Sequence, residues 1–304
     1  MSTFPLDLHW VGHPRSIASA LLRSHDFCAL IDPGPASTLS TLREQLASHN
    51  LRVADLDALL LTHIHLDHAG ATGSLAQENP GLKVYVHSRG AAHMADPSKL
   101  LASAVRLYGD TMQTFFGDFL PVPEANLHIL EGGETLSLGS RTLRVLYTPG
   151  HASHHVTYFD PAENIAFVGD TAGISVEGHP FILPATPPPD INLELWGTSL
   201  DSIAQLQPQR LFLTHFSFSE HPARHIASYR ERLHHWSDVV AKILATGQDD
   251  PLSSQSFIRE VSADAAKFLS PGDFSHYAFN GALYLSWLGL VRYHRKRFSA
   301  LHAP

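Results

Sequence analysis

The chain has 304 residues, enough for one large domain or two, and its 44% hydrophobic and 16% charged content describes an ordinary globular protein, not a disordered one. A formal net charge of −8, with the 22 histidines counted as neutral, disfavours broad attraction to nucleic-acid phosphates or anionic lipid. A single cysteine, Cys28, excludes an intramolecular disulfide and fits a reducing, cytoplasmic setting.

The first residues, Met1-Ser2-Thr3-Phe4-Pro5, lack the basic and then apolar run of a signal peptide, and no window reaches the roughly 18 apolar residues of a membrane helix. Residues 10–31 hold short apolar runs broken by Gly12 and Pro14 and read as the first strands of a sheet. Cys28 sits inside one such run, so it reads as a small core residue and not as a nucleophile. Asp32-Pro33-Gly34-Pro35 is a turn, and the spacing of Leu39, Leu42 and Leu46 predicts an amphipathic helix over 37–50. A buried strand over 58–62, a helix over 69–77 and a short strand over 84–86 follow.

Between 88 and 125, Leu100, Leu101, Val105, Leu107 and Tyr108 suggest helix. Phe115, Phe116 and Phe119 form an aromatic cluster suited to core packing, with pocket lining as the alternative. Strand signals return over 127–168, with a hairpin over 136–143 that turns at Gly139. The stretch 173–189 contains Pro187-Pro188-Pro189 and reads as a loop or lid. A helix over 193–206, a buried strand over 210–213 and a long helix over 224–245 complete an α/β layered domain spanning 1–245. After the breaker Gly247-Gln248-Asp249-Asp250-Pro251, residues 246–304 read as a helical extension, with helices over 255–269 and 274–292. Its basic stretch, from Arg292 to Arg297, reads as a solvated helix end.

The chemistry concentrates in Thr62-His63-Ile64-His65-Leu66-Asp67-His68, at the end of the apolar run Leu59-Leu60-Leu61. His63 and His65 are two apart, so an extended backbone points them the same way. Neutral imidazoles and a carboxylate at this density suit zinc or a similar divalent ion. Three further ligand-type side chains each follow an apolar strand and a short break: His151 after Tyr147-Thr148-Pro149-Gly150, Asp170 after Phe167-Val168-Gly169, and His215 after Leu211-Phe212-Leu213-Thr214. Sheet edges of this kind are where α/β folds place their sites.

This ordered set resembles the metallo-β-lactamase superfamily, in its glyoxalase II-like hydrolase branch. The matching segments are Thr62-His63-Ile64-His65-Leu66-Asp67-His68, Thr148-Pro149-Gly150-His151, Gly169-Asp170-Thr171 and Thr214-His215, with Ile31-Asp32-Pro33-Gly34 resembling a family turn. The resemblance implies a four-layer αββα sandwich with a dinuclear site along one edge. Carried over by position, His63, His65 and His151 would hold one divalent ion, and Asp67, His68 and His215 a second. Asp170 would bridge both, and Asp67 and Asp170 are the carboxylates expected to serve catalysis. The implied ions are two Zn²⁺, with iron or manganese as alternatives. Such a pair would hold a bridging hydroxide that attacks an electrophilic centre. Asp32 reads either as a carboxylate that orients a ligand imidazole or as a plain turn residue, and His154 and His155 as structural or supporting.

The expected activity is hydrolysis of an ester-like bond in a small molecule: a thioester, ester or lactone. The basic and tyrosine positions with which the branch binds glutathione find no match in the C-terminal segment. A small-molecule phosphodiesterase is the alternative, since paired ions also suit displacement at phosphorus. An iron-dependent sulfur dioxygenase is a third reading. It is weakened because such enzymes use a reduced ligand set, whereas every second-ion residue stands here. No nucleic-acid or membrane partner is expected, and the C-terminal helices could cover the site or bury a homodimer face.

Overall fold

The computed structural model describes residues 2–175, 181–247 and 251–301. Fourteen strands build two six-stranded sheets and a small hairpin. The first sheet comprises β1 (Ser2–Asp7), β2 (Ala18–Arg23), β3 (Cys28–Ile31), β4 (Ala58–Leu60), β5 (Lys83–His87) and β6 (Leu127–Leu130), in that spatial order. Strands β1 to β3 run antiparallel to their neighbours, and β3 to β6 are parallel.

Then come β7 (Thr135–Leu138), β8 (Arg141–Tyr147), β9 (Val156–Asp160), β10 (Ile165–Phe167), β11 (Ile174–Ser175), β12 (Ile182–Leu183), β13 (Arg210–Leu213) and β14 (Ser217–Ser219). The second sheet has the order β14-β13-β10-β9-β8-β7, while β11 and β12 pair only with each other. Eleven α-helices are described: α1 (Leu39–Ser48), α2 (Leu66–Ala69), α3 (Thr72–Glu78), α4 (Ser88–Ala95), α5 (Ser98–Tyr108), α6 (Met112–Phe116), α7 (Leu193–Gln205), α8 (Pro222–Ala245), α9 (Pro251–Ala265), α10 (Pro271–Gly281) and α11 (Leu283–Leu301). None is long and apolar enough to cross a membrane.

The alternation of side chains along strands sorts the buried residues into three apolar clusters, and these are the seams between four layers. Leu59 and Leu61 face the helices α1, α3 and α5, whereas Ala58 and Leu60 face the second sheet. In the second sheet Phe212 meets the first sheet, while Leu211 and Leu213 pack under α7 and α8. This is an αββα sandwich, as the resemblance implied. The helices after Thr246 do not stand apart: Phe257, Val261, Tyr277, Leu283 and Trp287 share one cluster with Leu211, Trp196 and Trp236.

Several elements differ from the sequence expectation. The first strand begins at Ser2, earlier than expected, because Ser2–Asp7 pairs in register with Ala18–Arg23. Trp10–Gly12 is a 3₁₀ turn instead of strand, and the Trp10 indole N–H donates to Phe115 O. The strand expected over 58–62 ends at Leu60. The helix expected over 69–77 starts earlier, at Leu66, and is divided into α2 and α3. Residues 173–189 are not loop throughout: Ile174 pairs with Leu183 in a hairpin, and residues 176–180 of the expected lid lie outside the described residues. The helix expected over 274–292 is split into α10 and α11 at Ala282, whose φ of 40° is incompatible with continuing a helix. Of the expected breaker, residues 248–250 also lie outside the described residues.

Phe116 and Phe119 are buried in the cluster beneath the first sheet, as core packing requires. Cys28 is buried and its thiol is pushed up to about 11, chiefly by that burial, so it is no nucleophile.

Candidate metal centre

Five loops at the C-terminal ends of strands converge on one edge of the two sheets. Asp32 follows β3 and residues 62–68 follow β4. His151 follows β8, Asp170 follows β10 and His215 follows β13. The loops can approach closely because two glycines allow it. Gly150 has φ 147°, and a Cβ there would lie 2.4 Å from Trp196 Cα. Gly169 has φ 46°, and a Cβ there would lie 2.5 Å from the Thr62 hydroxyl.

All seven side chains singled out in the sequence meet here. Ligand atoms of His63, His65 and His151 lie within 4.8 Å of one another, and so do those of Asp67, His68 and His215. Asp170 forms a third such group with His63 and His68. Its Oδ1 is 3.2 Å from His68 Nε2 and 3.7 Å from His215 Nε2, and its Oδ2 is 3.4 Å from His151 Nε2. Asp170 therefore spans the two triads.

Four of the five rings are oriented from behind. His68 Nδ1 donates to Asp32 Oδ2 (2.9 Å), His151 Nδ1 to Ala185 O (2.9 Å) and His215 Nδ1 to Ser16 O (2.9 Å). The Thr62 hydroxyl spends its one proton on Asp32 Oδ2 (2.7 Å), so it must accept from His63 Nδ1 (3.1 Å). Carbonyls and carboxylates cannot donate, so these partners fix a proton on Nδ1 of four imidazoles, each of which, when neutral, turns an Nε2 lone pair inward. Those lone pairs face each other and the oxygens of Asp67 and Asp170. Among the described residues His63 Nε2, His68 Nε2 and Asp170 Oδ1 are buried without a hydrogen-bond partner. His65 joins them from the other side, its Nδ1 2.9 Å from His151 Nε2. Imidazole nitrogens and carboxylate oxygens gathered this closely are the donor set that a divalent cation takes, displacing any protons held there, so the residues fit a metal.

Asp32 is fully buried with φ 51°, and the structure decides its role. It accepts from Thr62 N, Thr62 Oγ1, His68 Nδ1 and Thr214 Oγ1, which makes it the anchor behind His68. His155 sits behind Asp170: its Nε2 accepts from Asp170 N (3.3 Å), and its Nδ1 lies beside the Thr148 and Thr171 hydroxyls. His154 lines the cavity and accepts from Ile64 N through Nδ1 (3.4 Å).

Electrostatics follow this geometry. Burial, reinforced by neighbouring imidazoles, holds His63 well below the usual histidine range. Burial also opposes charge on His68, but Asp170, Asp67 and Asp32 outweigh it and push His68 well up. Burial works against ionised Asp67 as well, yet His68 and His215 hold it at about 2, so Asp67 stays negative at neutral pH.

Beside the cluster opens a cavity of about 390 Å³. Its floor includes His65, Asp67, Asp170 and His215, and its roof includes Pro187, Pro188 and Leu285. Sequence reasoning missed the supports Thr62, Thr214, Ser16 and Ala185. A signal existed for two of them: Thr62-His63 and Thr214-His215 repeat one dipeptide, and both hydroxyls donate to Asp32. The backbone carbonyls of Ser16 and Ala185 carry no sequence signal.

A sequence profile of the metallo-beta-lactamase superfamily matches residues 13–215. A metallo-beta-lactamase fold-containing protein of Sulfurisphaera tokodaii is 32% identical over 163 residues, 53% of this chain and 60% of that one. A hydroxyacylglutathione hydrolase of Aeromonas hydrophila is 29% identical over 151 residues, 50% of this chain and 44% of that one. The chain thus spans about half the length of the curated relatives it matches. A solved metallo-beta-lactamase family protein from Thermus thermophilus shares the fold with a TM-score of 0.70 at 20% identity, over 98% of this chain and 94% of that one.

Proposed function

Since the chain belongs to the metallo-β-lactamase superfamily, we propose that it is a metal-dependent hydrolase that cleaves an ester-like bond, a thioester, ester or lactone, at a dinuclear centre. The observation that carries this reading is the inward convergence of four Nε2 lone pairs and two carboxylates beside an open cavity. His63, His65 and His151 would hold one ion and Asp67, His68 and His215 the other, with Asp170 shared between them. The all-nitrogen-and-oxygen donor set suits zinc, and iron or manganese could also occupy it. What a divalent ion supplies in such a centre is Lewis acidity, which lowers the pKa of water from 15.7 to about 7 and polarises a carbonyl.

The protein's own groups do the rest. Asp32, Ala185 O, Ser16 O and the Thr62 hydroxyl hold the imidazoles in the tautomer that presents Nε2. Asp67, ionised and facing the cavity, keeps a fixed negative charge beside His215 Nε2 at 3.3 Å. His154, held at about 3 mainly by burial, is neutral at physiological pH, so it can donate to a substrate oxygen but not deprotonate one.

The test is elemental analysis of the purified protein together with turnover of thioester, ester, lactone and phosphodiester panels. About two ions per chain with carbonyl-ester turnover supports the reading. Turnover of phosphodiesters alone would replace it with a phosphodiesterase, and one iron per chain would argue for redox chemistry.

A further inference from the structure

The cavity has an apolar long wall and a cationic rim. Leu100, Ala104, Leu107 and Tyr108 of α5 all face into it. Their spacing is that of a single helix face, and from Leu100 to Tyr108 it runs about 12 Å at 1.5 Å per residue. The Tyr108 end adjoins the ligand cluster, since its phenol feels Asp67 and Asp170, and burial keeps it protonated. At the Leu100 end stands Lys99, in the first turn of α5, and Arg89 and His93 of α4 line the same cavity. Arg89 and Lys99 are exposed at the rim, and neither makes an ion pair among the described residues. Among the described residues, Asp190 is the one acidic lining residue away from the ligand cluster, and it accepts from Ser153 N at 3.3 Å. Asp96 stands close behind Lys99 but is turned to Ser98 N, at 3.1 Å. A positive rim on a chain of net charge −8 is a local exception that focuses attraction on one cavity.

We infer that the site takes an ester or thioester whose apolar arm lies along α5 and ends in an anionic group drawn to the cationic rim that Lys99 and Arg89 supply. The inference rests on the hydrolase reading above and narrows its substrate class. An arm of about eight carbons, at ~1.2 Å per extended bond, reaches most of the way along α5. Carboxylate and phosphate share the required charge, and both are acceptors for guanidinium and ammonium.

The test uses the metal-loaded full chain and three thiophenyl esters of equal arm length: octanoate, octanedioate with one free carboxylate, and 8-phosphooxyoctanoate. The wild type is expected to show a kcat/KM about tenfold higher for an anionic ester than for the neutral one, with the gap closing as salt rises. The larger of the two anionic advantages identifies the anion. In the Arg89→Gln/Lys99→Gln double variant that advantage disappears through KM, while the neutral ester and kcat are unchanged. Equal rates for neutral and anionic esters in the wild type, or an equal loss on both in the variant, would overturn the inference. A second readout separates it from the hydrolase reading: calorimetric binding of octanedioate is expected to be about tenfold tighter than that of octanoate in the wild type and equal in the variant. Ester turnover without discrimination sinks the inference and leaves the hydrolase. Discrimination in binding without turnover of any ester sinks the hydrolase and leaves the anion site.

Discussion

Asp32→Asn tests the logic of the centre without touching a residue that would ligate an ion. Asp32 Oδ1 accepts from Thr62 N at 2.8 Å, and Oδ2 accepts from Thr62 Oγ1, His68 Nδ1 and Thr214 Oγ1 at 2.7–2.9 Å. Asparagine must keep its oxygen toward the backbone N–H, so its NH₂ replaces Oδ2. The two threonine hydroxyls can rotate and accept. His68 Nδ1–H cannot, and its escape is to move the proton to Nε2, the atom that faces Asp170 Oδ1 at 3.2 Å. That tautomer has no lone pair to offer an ion. Loss of an orienting partner of this kind typically costs 10–100-fold in affinity, or about 1.4–2.7 kcal/mol. The expected result is selective: the ion at Asp67, His68 and His215 is lost to a chelator at 10–100-fold lower chelator concentration, while the ion at His63, His65 and His151 stays. Chelator competition read by elemental analysis measures this, and nitrogen NMR of the metal-free protein, at a pH where His68 is neutral, reports its tautomer. Unchanged affinity of both ions, with His68 still protonated on Nδ1, would refute the tautomer argument.

Other expectations follow from groups outside the centre. Asp160→Ala takes one carboxylate from the buried Arg141, whose Nε lies 3.2 Å from Asp160 Oδ2 and which keeps Glu163 at 2.7 Å and the Thr3 hydroxyl at 3.3 Å; unfolding free energy should fall by about 1–3 kcal/mol with ion content unchanged, and a loss below about 0.5 kcal/mol in a denaturant titration would contradict it. His225 is buried, donates from Nε2 to Ala172 O, and is held at about 4, mainly by burial, against 6.5 when unfolded. The unfolded chain therefore binds the extra proton first, and stability is lost as pH falls from 6.5 to 4, by about 3 kcal/mol. His225→Gln should remove that much of the difference between unfolding at pH 7 and at pH 4; an unaltered pH dependence would exclude the burial argument. Gly289→Ala would put a Cβ 2.0 Å from Thr186 O, so α11 must shift at a cost of about 1–3 kcal/mol. A normal melting temperature in that variant would show that the contact yields freely.

The layers were legible because strand and helix periods differ, and the ligands because an apolar strand followed by a histidine or aspartate is a rare pattern. His63, His65, Asp67, His68, His151, Asp170 and His215 are spread over more than 150 residues of sequence, yet each announces itself by following a strand. What stayed hidden depends on partners remote in sequence. Asp32 could be a turn residue or an anchor until Thr214, 182 residues away, is seen to donate to it. The split between α10 and α11 had a signal, Asn280-Gly281, outweighed by the apolar run that follows it; Gly281 lets the chain pass close to β12, where a Cβ would lie 1.8 Å from Leu183 Cδ2, and Ala282 turns the chain with its positive φ. The cationic rim of Arg89 and Lys99 was likewise unreadable, since two cations on separate helices signify nothing until a cavity joins them.

The C-terminal helices bear on the centre through a short physical chain. His151 is oriented by Ala185 O, so whatever fixes residue 185 fixes the ring. The next residue, Thr186, is tied to α11 twice: its N–H donates to Ser286 Oγ at 3.4 Å and its hydroxyl to Ser286 O at 3.3 Å. Arg292, further along α11, donates to Pro189 O at 3.0 Å. On the other side Trp196 closes against His151, with ring centroids 5.6 Å apart, while its indole N–H is anchored on Thr171 O. His151 is thus held between a helix that belongs to the sandwich and a strap held down by a helix that follows it. The superfamily profile ends at residue 215, well short of α11, yet the contacts of α11 reach an inward-facing imidazole through two residues. A segment that packs in this way cannot move without moving a ligand-type side chain. The same helix supplies Leu285 to the cavity roof, so the part of the chain that lies beyond the profile match acts on both the shape of the cavity and the aim of His151.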